Sequence, residues 1–130
     1  MAKNLDLYID QGSDFLAVLP PVTKPDNTIQ NLSTYTVQCL IRRSYSIQYA
    51  VAVNAVVSNA VGGIITLSMD NTVTAGLAPT RWVYDVIITD TNTNFVTKVF
   101  EGMAFVNPAV TSKPNTSLIT PYVPDDYGGI

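Results

Sequence analysis

The sequence contains no histidine and a single cysteine among its 130 residues. Histidine is the commonest general base and the commonest ligand for transition metals, so Ser-His-Asp sites, Cys-His sites and histidine metal centres are excluded. Cys39 has no second cysteine with which to form an internal disulfide or a thiolate zinc site, and its place in an apolar run suits a small buried side chain. These absences predict a protein that is not an enzyme and has no cofactor.

Charged residues are also scarce, at 13% of the chain. Seven Lys and Arg oppose ten Asp and Glu, and the basic residues are spread from Lys3 to Lys113 without a cluster. Because nucleic-acid binding usually requires a basic patch, we expect no nucleic-acid partner. No window approaches the roughly 18 consecutive apolar residues of a membrane helix, and the N-terminal residues lack the apolar stretch of a signal peptide. We therefore expect synthesis in the cytoplasm and no membrane partner.

Short apolar segments with alternating polarity make up most of the sequence. Segments rich in Val, Ile, Thr and Tyr recur between clusters of Gly, Pro, Asn, Asp and Ser, which is typical of antiparallel strands. Seven segments fit this pattern: residues 5–10, 15–19, 35–42, 48–57, 64–69, 82–89 and 95–106. The stretch 70–77 breaks the alternation, and its Asp70-Asn71 start predicts a single helical turn.

This spacing predicts an all-β fold, an antiparallel two-sheet immunoglobulin-like β-sandwich of about seven strands. The paired cysteines of true immunoglobulin domains are absent, and a small barrel is the alternative architecture. We expect the sandwich domain to cover residues 1–106. Residues 107–130 are rich in proline and are expected to form an extended C-terminal arm.

Acidic residues are the remaining candidates for chemistry. Asp6, Asp10 and Asp14 could supply oxygen ligands to a cation, but Asp6 and Asp10 are separated by about 13 Å along one strand, and no calcium-loop pattern occurs. The missing histidine and motif also argue against a hydrolase that would use Asp85 or Glu101 with them. We expect no metal site and interpret these acids as solvated edge charges. Asp85 either faces water or accepts hydrogen bonds from a neighbouring loop, and the second role is favoured because buried acids need partners.

Trp82 and Tyr84 lie on one face of the same strand. Filling the core is the simpler interpretation of both, and contact with a partner is the alternative, because aromatic residues are enriched in interfaces as well as in cores. Exposed aromatic rings could also stack on sugar rings.

The order of several segments resembles a family of small immunoglobulin-like phage virion proteins, and is similar to the N-terminal domain of phage baseplate upper proteins. The matching segments are residues 5–15 (LDLYIDQGSDF), 32–37 (LSTYTV) with Arg42, 63–68 (GIITLS), 81–86 (RWVYDV), 101–102 (EG) and 106–111 (VNPAVT). The resemblance implies a β-sandwich, a structural role in a virion and no cofactor. It ends at Thr111, after which baseplate upper proteins continue into further domains and this sequence has its proline-rich arm.

The function expected from this resemblance is that of a tail or baseplate component, located in the virion, that docks on other virion proteins and on further copies of itself. Four arm residues are the expected interface anchors: Tyr122, Val123, Tyr127 and Ile130. Two alternatives remain open, a capsid decoration (cement) protein and a carbohydrate- or receptor-binding module. No small-molecule substrate is expected.

Overall fold

The computed structural model describes residues 2–46 and 48–111, and this part of the chain is all-β with one short helix. The elements are β1 (Lys3–Asn4), β2 (Leu7–Asp10), β3 (Phe15–Val18), β4 (Tyr35–Arg42), β5 (Val51–Asn59), β6 (Ile64–Met69), α1 (Asn71–Ala75), β7 (Arg81–Asp90) and β8 (Val96–Asn107). Alternation explains why these segments are strands. In β7, for example, Trp82, Tyr84 and Val86 are buried while the residues between them are half-buried on the other face.

The strands form one curled, mixed sheet. Their order is β1-β8-β7-β4-β5-β6-β3, and β2 also pairs with β8. Strand β5 changes partner along its length, because residues 51–53 pair with β4 and residues 54–59 pair with β6. The buried faces of both halves contribute to a single core, whose largest fully buried side chains are Phe100, Ile9, Leu32, Ile41, Ile65 and Leu67.

The expectation of a purely antiparallel sheet is wrong. Strands β1 and β2 pair with β8 in parallel, with Leu7 opposite Ala104 and Asp10 opposite Asn107. Alternating polarity predicts a strand without its direction, and these partners lie far apart in the sequence, so no local pattern shows how they pair. The first predicted segment is also divided, since Leu5 and Asp6 separate β1 from β2.

The break between β1 and β2 is held by a close approach to Gly102. The Leu5 N–H donates to the Glu101 carbonyl at 2.9 Å, and the buried Tyr84 hydroxyl donates to the Leu5 carbonyl. A Cβ atom on Gly102 would lie only 2.3 Å from the Leu5 carbonyl oxygen. Residue 102 must therefore be glycine for the N-terminal strands to reach β8.

Helix α1 confirms the predicted helical turn. The Asp70 carboxylate accepts a hydrogen bond from the Thr72 N–H at 3.1 Å and caps the helix. The fully buried Thr74 hydroxyl accepts from the Gly12 N–H at 3.1 Å and donates to the Ser13 carbonyl at 2.8 Å. The helix thereby fixes the turn that joins β2 to β3.

Gln11 fixes the path of the chain after β8. Its Nε2 donates to the Leu77 carbonyl at 2.9 Å, and its Oε1 accepts from the Ala109 N–H at 3.1 Å. Residues 108–111 therefore begin the predicted arm beside the β2–β3 turn. The rest of that arm, including Tyr122, Val123, Tyr127 and Ile130, lies outside the described residues.

Several predicted boundaries agree with the structure. Residues 64–69 form β6 as predicted, the expected hairpin is formed by β7 and β8, and β8 ends at Asn107, one residue beyond the predicted segment. The fourth predicted segment begins late, since β5 starts at Val51 and Tyr49 is an exposed residue before it.

Candidate interaction surfaces

The three N-terminal aspartates do not converge on one point. Asp6 accepts from the Met103 N–H at 3.2 Å, and Asp10 accepts from the Asn107 side-chain amide at 3.2 Å. Asp14 accepts from the backbone and side-chain nitrogens of Asn71 at the start of α1, both at 2.8 Å. Each carboxylate therefore joins two parts of the fold. In the described part of the chain, no group of three or more His, Cys, Asp or Glu residues could hold a metal ion.

Asp85 and Glu101 are brought together, since they lie opposite each other in the β7–β8 register. Both lie on the face of the sheet that points away from the core, and Leu40 of β4 is the other register neighbour of Asp85. Glu101 forms a salt bridge with Lys98 at 3.1 Å on the exposed surface. The pair thus sits on an open strand face, with a cation beside one of its members.

Trp82 and Tyr84 both fill the core, where each is only 3% exposed. The indole N–H donates to the Ala78 carbonyl at 3.0 Å, and the Arg43 guanidinium lies 5.8 Å from the Trp82 ring centre. This placement corresponds to the core-filling interpretation, because the surface of each ring is covered by the protein's own residues. Neither ring is available for stacking on a sugar.

Burial also raises the pKa values of the Cys39 thiol and the Tyr84 phenol. Burial, with the Asp85 carboxylate as a second cause, raises the pKa of Cys39 to about 12. The pKa of Tyr84 is also raised, mainly by burial and then by the neighbouring Cys39 and Asp6. Both groups therefore remain neutral at physiological pH, and a neutral buried thiol is a poor nucleophile.

Strand β3 is an open edge of the sheet with exposed apolar side chains. Within the described residues it pairs with β6 alone, while Leu16 and Val18 on its outward face are 71% and 65% exposed. The Leu19 N–H donates to the Ile65 carbonyl at 2.9 Å, so by alternation the backbone groups of Leu16 and Val18 point to the open side. Such an edge can accept a further strand.

The opposite edge of the sheet differs in chemistry. Lys3 of β1, Asp10 of β2 and Asp6 between them lie along that edge or next to it, and charges of this kind discourage the addition of another strand. Strand β3, with the sequence Phe-Leu-Ala-Val, has no charge. The two edges formed by the described strands are therefore unequal, and of these two β3 has the composition of a docking edge.

A groove of about 690 Å³ lies at the end of the sheet where β3 ends and β8 begins. Three lysines line it, namely Lys3, Lys24 and Lys98. The buried side chains of Val22, Ile88 and Phe100 also line it, together with Phe95, which is 71% exposed. This groove could not be predicted from the sequence, because its lysines come from three distant segments.

No helix among the described residues is long and apolar enough to span a membrane. No known family model matches the chain, and no curated protein is similar to it. The candidate surfaces are therefore interpreted from their own chemistry.

Proposed function

We propose that this chain is a structural protein of a bacteriophage particle, a tail or baseplate component that docks on neighbouring virion subunits. The observation that carries the proposal is the open edge of β3, which is uncharged and exposes Leu16 and Val18. Among the described residues, its outward backbone groups are free to pair with an added strand. The resemblance of residues 5–111 to small immunoglobulin-like virion proteins supplies the biological setting.

The arrangement of strands supports an immunoglobulin-like two-sheet sandwich as part of this proposal. In such domains the third, sixth and seventh strands share one sheet, and the second, fifth and fourth share the other. If β2 is counted as the first strand, these sets correspond to β4-β7-β8 and β3-β6-β5. The first strand would then lie on the seventh instead of the second, so β3 has no neighbour on one side among residues 2–46 and 48–111.

Edge pairing can be tested by placing charges on β3. Lysine at residues 16 and 18 should leave the fold intact, because both side chains are exposed, but should disfavour strand addition. We expect the Leu16→Lys, Val18→Lys double variant to enter phage particles at least about tenfold less than the unmodified chain. Val61→Lys, at an exposed position in the β5–β6 turn, is the matched control and should enter normally.

The readout is a competition in which both chains are present during infection and their ratio in purified particles is measured by mass spectrometry. Equal incorporation of the double variant would refute edge pairing, and absence of every version from the particles would refute the virion role. Cryo-electron microscopy of the same particles would then locate the chain. Density at the tail or baseplate is the expected result, whereas density on the shell would identify a capsid decoration protein.

A further inference from the structure

We propose that the lysine-lined groove receives the acidic C-terminal segment, residues 121–130, of a neighbouring copy, so that copies of the chain join head to tail. This inference rests on the structural role proposed above and names the surface and the partner that the arm would use. Three observations support it: charge, apolar content and the positions of the groove and the arm in the fold.

The charges of the groove and of the segment are complementary. Lys3, Lys24 and Lys98 line the groove, and no acidic residue in the described part of the chain does. Residues 121–130 contain Asp125 and Asp126 and no basic residue. Opposite charges that face each other across an interface increase both its specificity and its rate of formation.

Nearby acidic residues offset part of this positive charge, and Asp26 interacts electrostatically with Lys24. Asp26, in the same loop as Lys24, accepts hydrogen bonds from the Thr28 N–H at 3.0 Å and the Thr28 hydroxyl at 2.6 Å. Glu101 pairs with Lys98. Among the described residues, neither Lys3 nor Lys24 forms a salt bridge, so both can pair with carboxylates of an incoming segment.

The apolar content of the groove also matches that of the segment. The groove is lined by buried Val22, Ile88 and Phe100, and Phe95 exposes most of its ring beside them. Aromatic and aliphatic anchors between charged residues are what such a surface accommodates, since aromatic residues supply much of the binding energy at interfaces. Four residues of the segment have this character: Tyr122, Val123, Tyr127 and Ile130.

The groove and the start of the arm lie at opposite ends of the fold. Strand β8 begins at the groove, which Thr97 and Phe100 help to line, and ends at Asn107. The span from Thr97 to Asn107 is roughly 33 Å at the usual rise of a strand. Beyond it, Ala109 is held beside Gln11, so the chain leaves the fold at the end remote from its own groove.

The end of the fold at which the chain leaves favours binding of the segment to the groove of a neighbouring copy over binding to its own groove. To reach its own groove, the segment would have to reverse direction after Thr111 and return along the whole length of β8. Pro114, Pro121 and Pro124 favour an extended path instead. A segment that kept the direction of β8 after Thr111 would reach the groove end of a copy placed below it and not its own groove. Contacts of this head-to-tail kind build rings or filaments, which are the repeating arrangements of virion parts.

Disulfide trapping between two single variants of the full chain tests the contact. Purified Lys24→Cys and Asp126→Cys chains are mixed under mild oxidation, and the link between residues 24 and 126 is identified by peptide mass spectrometry. Because each chain has only one of the two new thiols, this link can form only between chains. The native Cys39 is buried and does not compete. We expect at least about tenfold more of this link than in a control mixture with Asn54→Cys, which is exposed on β5.

A charge exchange in full-length chains tests whether opposite charges hold the segment in the groove. Reversing Lys3 and Lys24 to Glu in the chain that supplies the groove should reduce the link about tenfold, and this effect should weaken at high salt. The trapping positions in this experiment are Thr97→Cys in the groove and Tyr127→Cys in the segment. Reversing Asp125 and Asp126 to Lys in the partner chain should restore the link.

Two results would overturn the inference. One is the absence of any link above the Asn54→Cys control while circular dichroism shows folded chains. The other is a link that is absent from this mixture but forms within a single chain that has both Lys24→Cys and Asp126→Cys, since this would place the segment in its own groove. Both measurements use purified protein, so they do not depend on the particle. Trapped head-to-tail chains that are absent from particles would refute the proposed function and not this contact.

Discussion

Replacing Gly102 with alanine is expected to destabilise the fold by about 2–3 kcal/mol. The new Cβ would lie 2.3 Å from the Leu5 carbonyl oxygen and 2.9 Å from the Leu5 carbonyl carbon, both of which belong to the backbone. Since carbon and oxygen normally approach to about 3.3 Å, Leu5 would have to move by about 1 Å. That movement disturbs its hydrogen bonds to Tyr84 and Glu101 and the bond between Asp6 and Met103. Each is worth about 1 kcal/mol.

Urea unfolding followed by tryptophan fluorescence is a suitable assay, because Trp82 is the single tryptophan and lies in the core. Gly76→Ala is the matched control, since its new Cβ would meet its nearest neighbour, the Val73 carbonyl oxygen, at an ordinary 3.6 Å. We expect the control to change stability by less than about 0.5 kcal/mol. A Gly102→Ala chain as stable as the control would refute the argument that glycine is required for the N-terminal strands to dock on β8.

Two further predictions concern buried hydroxyl and thiol groups. Tyr84→Phe removes the donor to the Leu5 carbonyl and should lower the free energy of unfolding, measured by urea titration, by about 1–2 kcal/mol. Tyr45→Phe, at an exposed ring, is the control and should leave the free energy of unfolding unchanged. Equal stabilities of the two variants would contradict this role of the Tyr84 hydroxyl. Because the pKa of Cys39 is raised from 9.0 to about 12, the thiol ionises first in the unfolded chain, so stability is complete below pH 9 and falls as the pH rises towards 12. The raised pKa of Tyr84 acts in the same direction, and a free energy of unfolding that is constant between pH 9 and 11 would refute both assignments.

Features that depend on residues close together in the sequence could be predicted from it. The alternation in β6 and β7 marks their buried faces, and the Asp70-Asn71 start of α1 shows its capping residue. The parallel pairing of β2 with β8 could not be predicted, because alternating polarity is the same in either direction. The division of the first segment at Leu5 also depends on a contact with Gly102 from the other end of the chain.

The candidate surfaces were harder to predict than the strands. Leu16 and Val18 are apolar residues of a predicted strand, and only the structure shows that they point to its outward face and are exposed. The groove depends on three lysines that appear scattered along the chain until the fold brings them to one end. Trp82 was easier to place, since core filling was the simpler of the two interpretations of this aromatic residue and the structure buries it.

The parallel pairing of β2 with β8 has a mechanical consequence. The chain enters the fold beside the groove, at Lys3, and leaves the fold at the other end, beyond Asn107. Tension applied to the two ends of the domain therefore acts along β2 and β8. The backbone hydrogen bonds between β2 and β8 lie across that direction and are therefore loaded in shear. Under shear they must break together, whereas bonds peeled from one end break one at a time. Strand β2, whose pairing with β8 leaves the β3 edge open, is thus also the element that resists stretching of the domain.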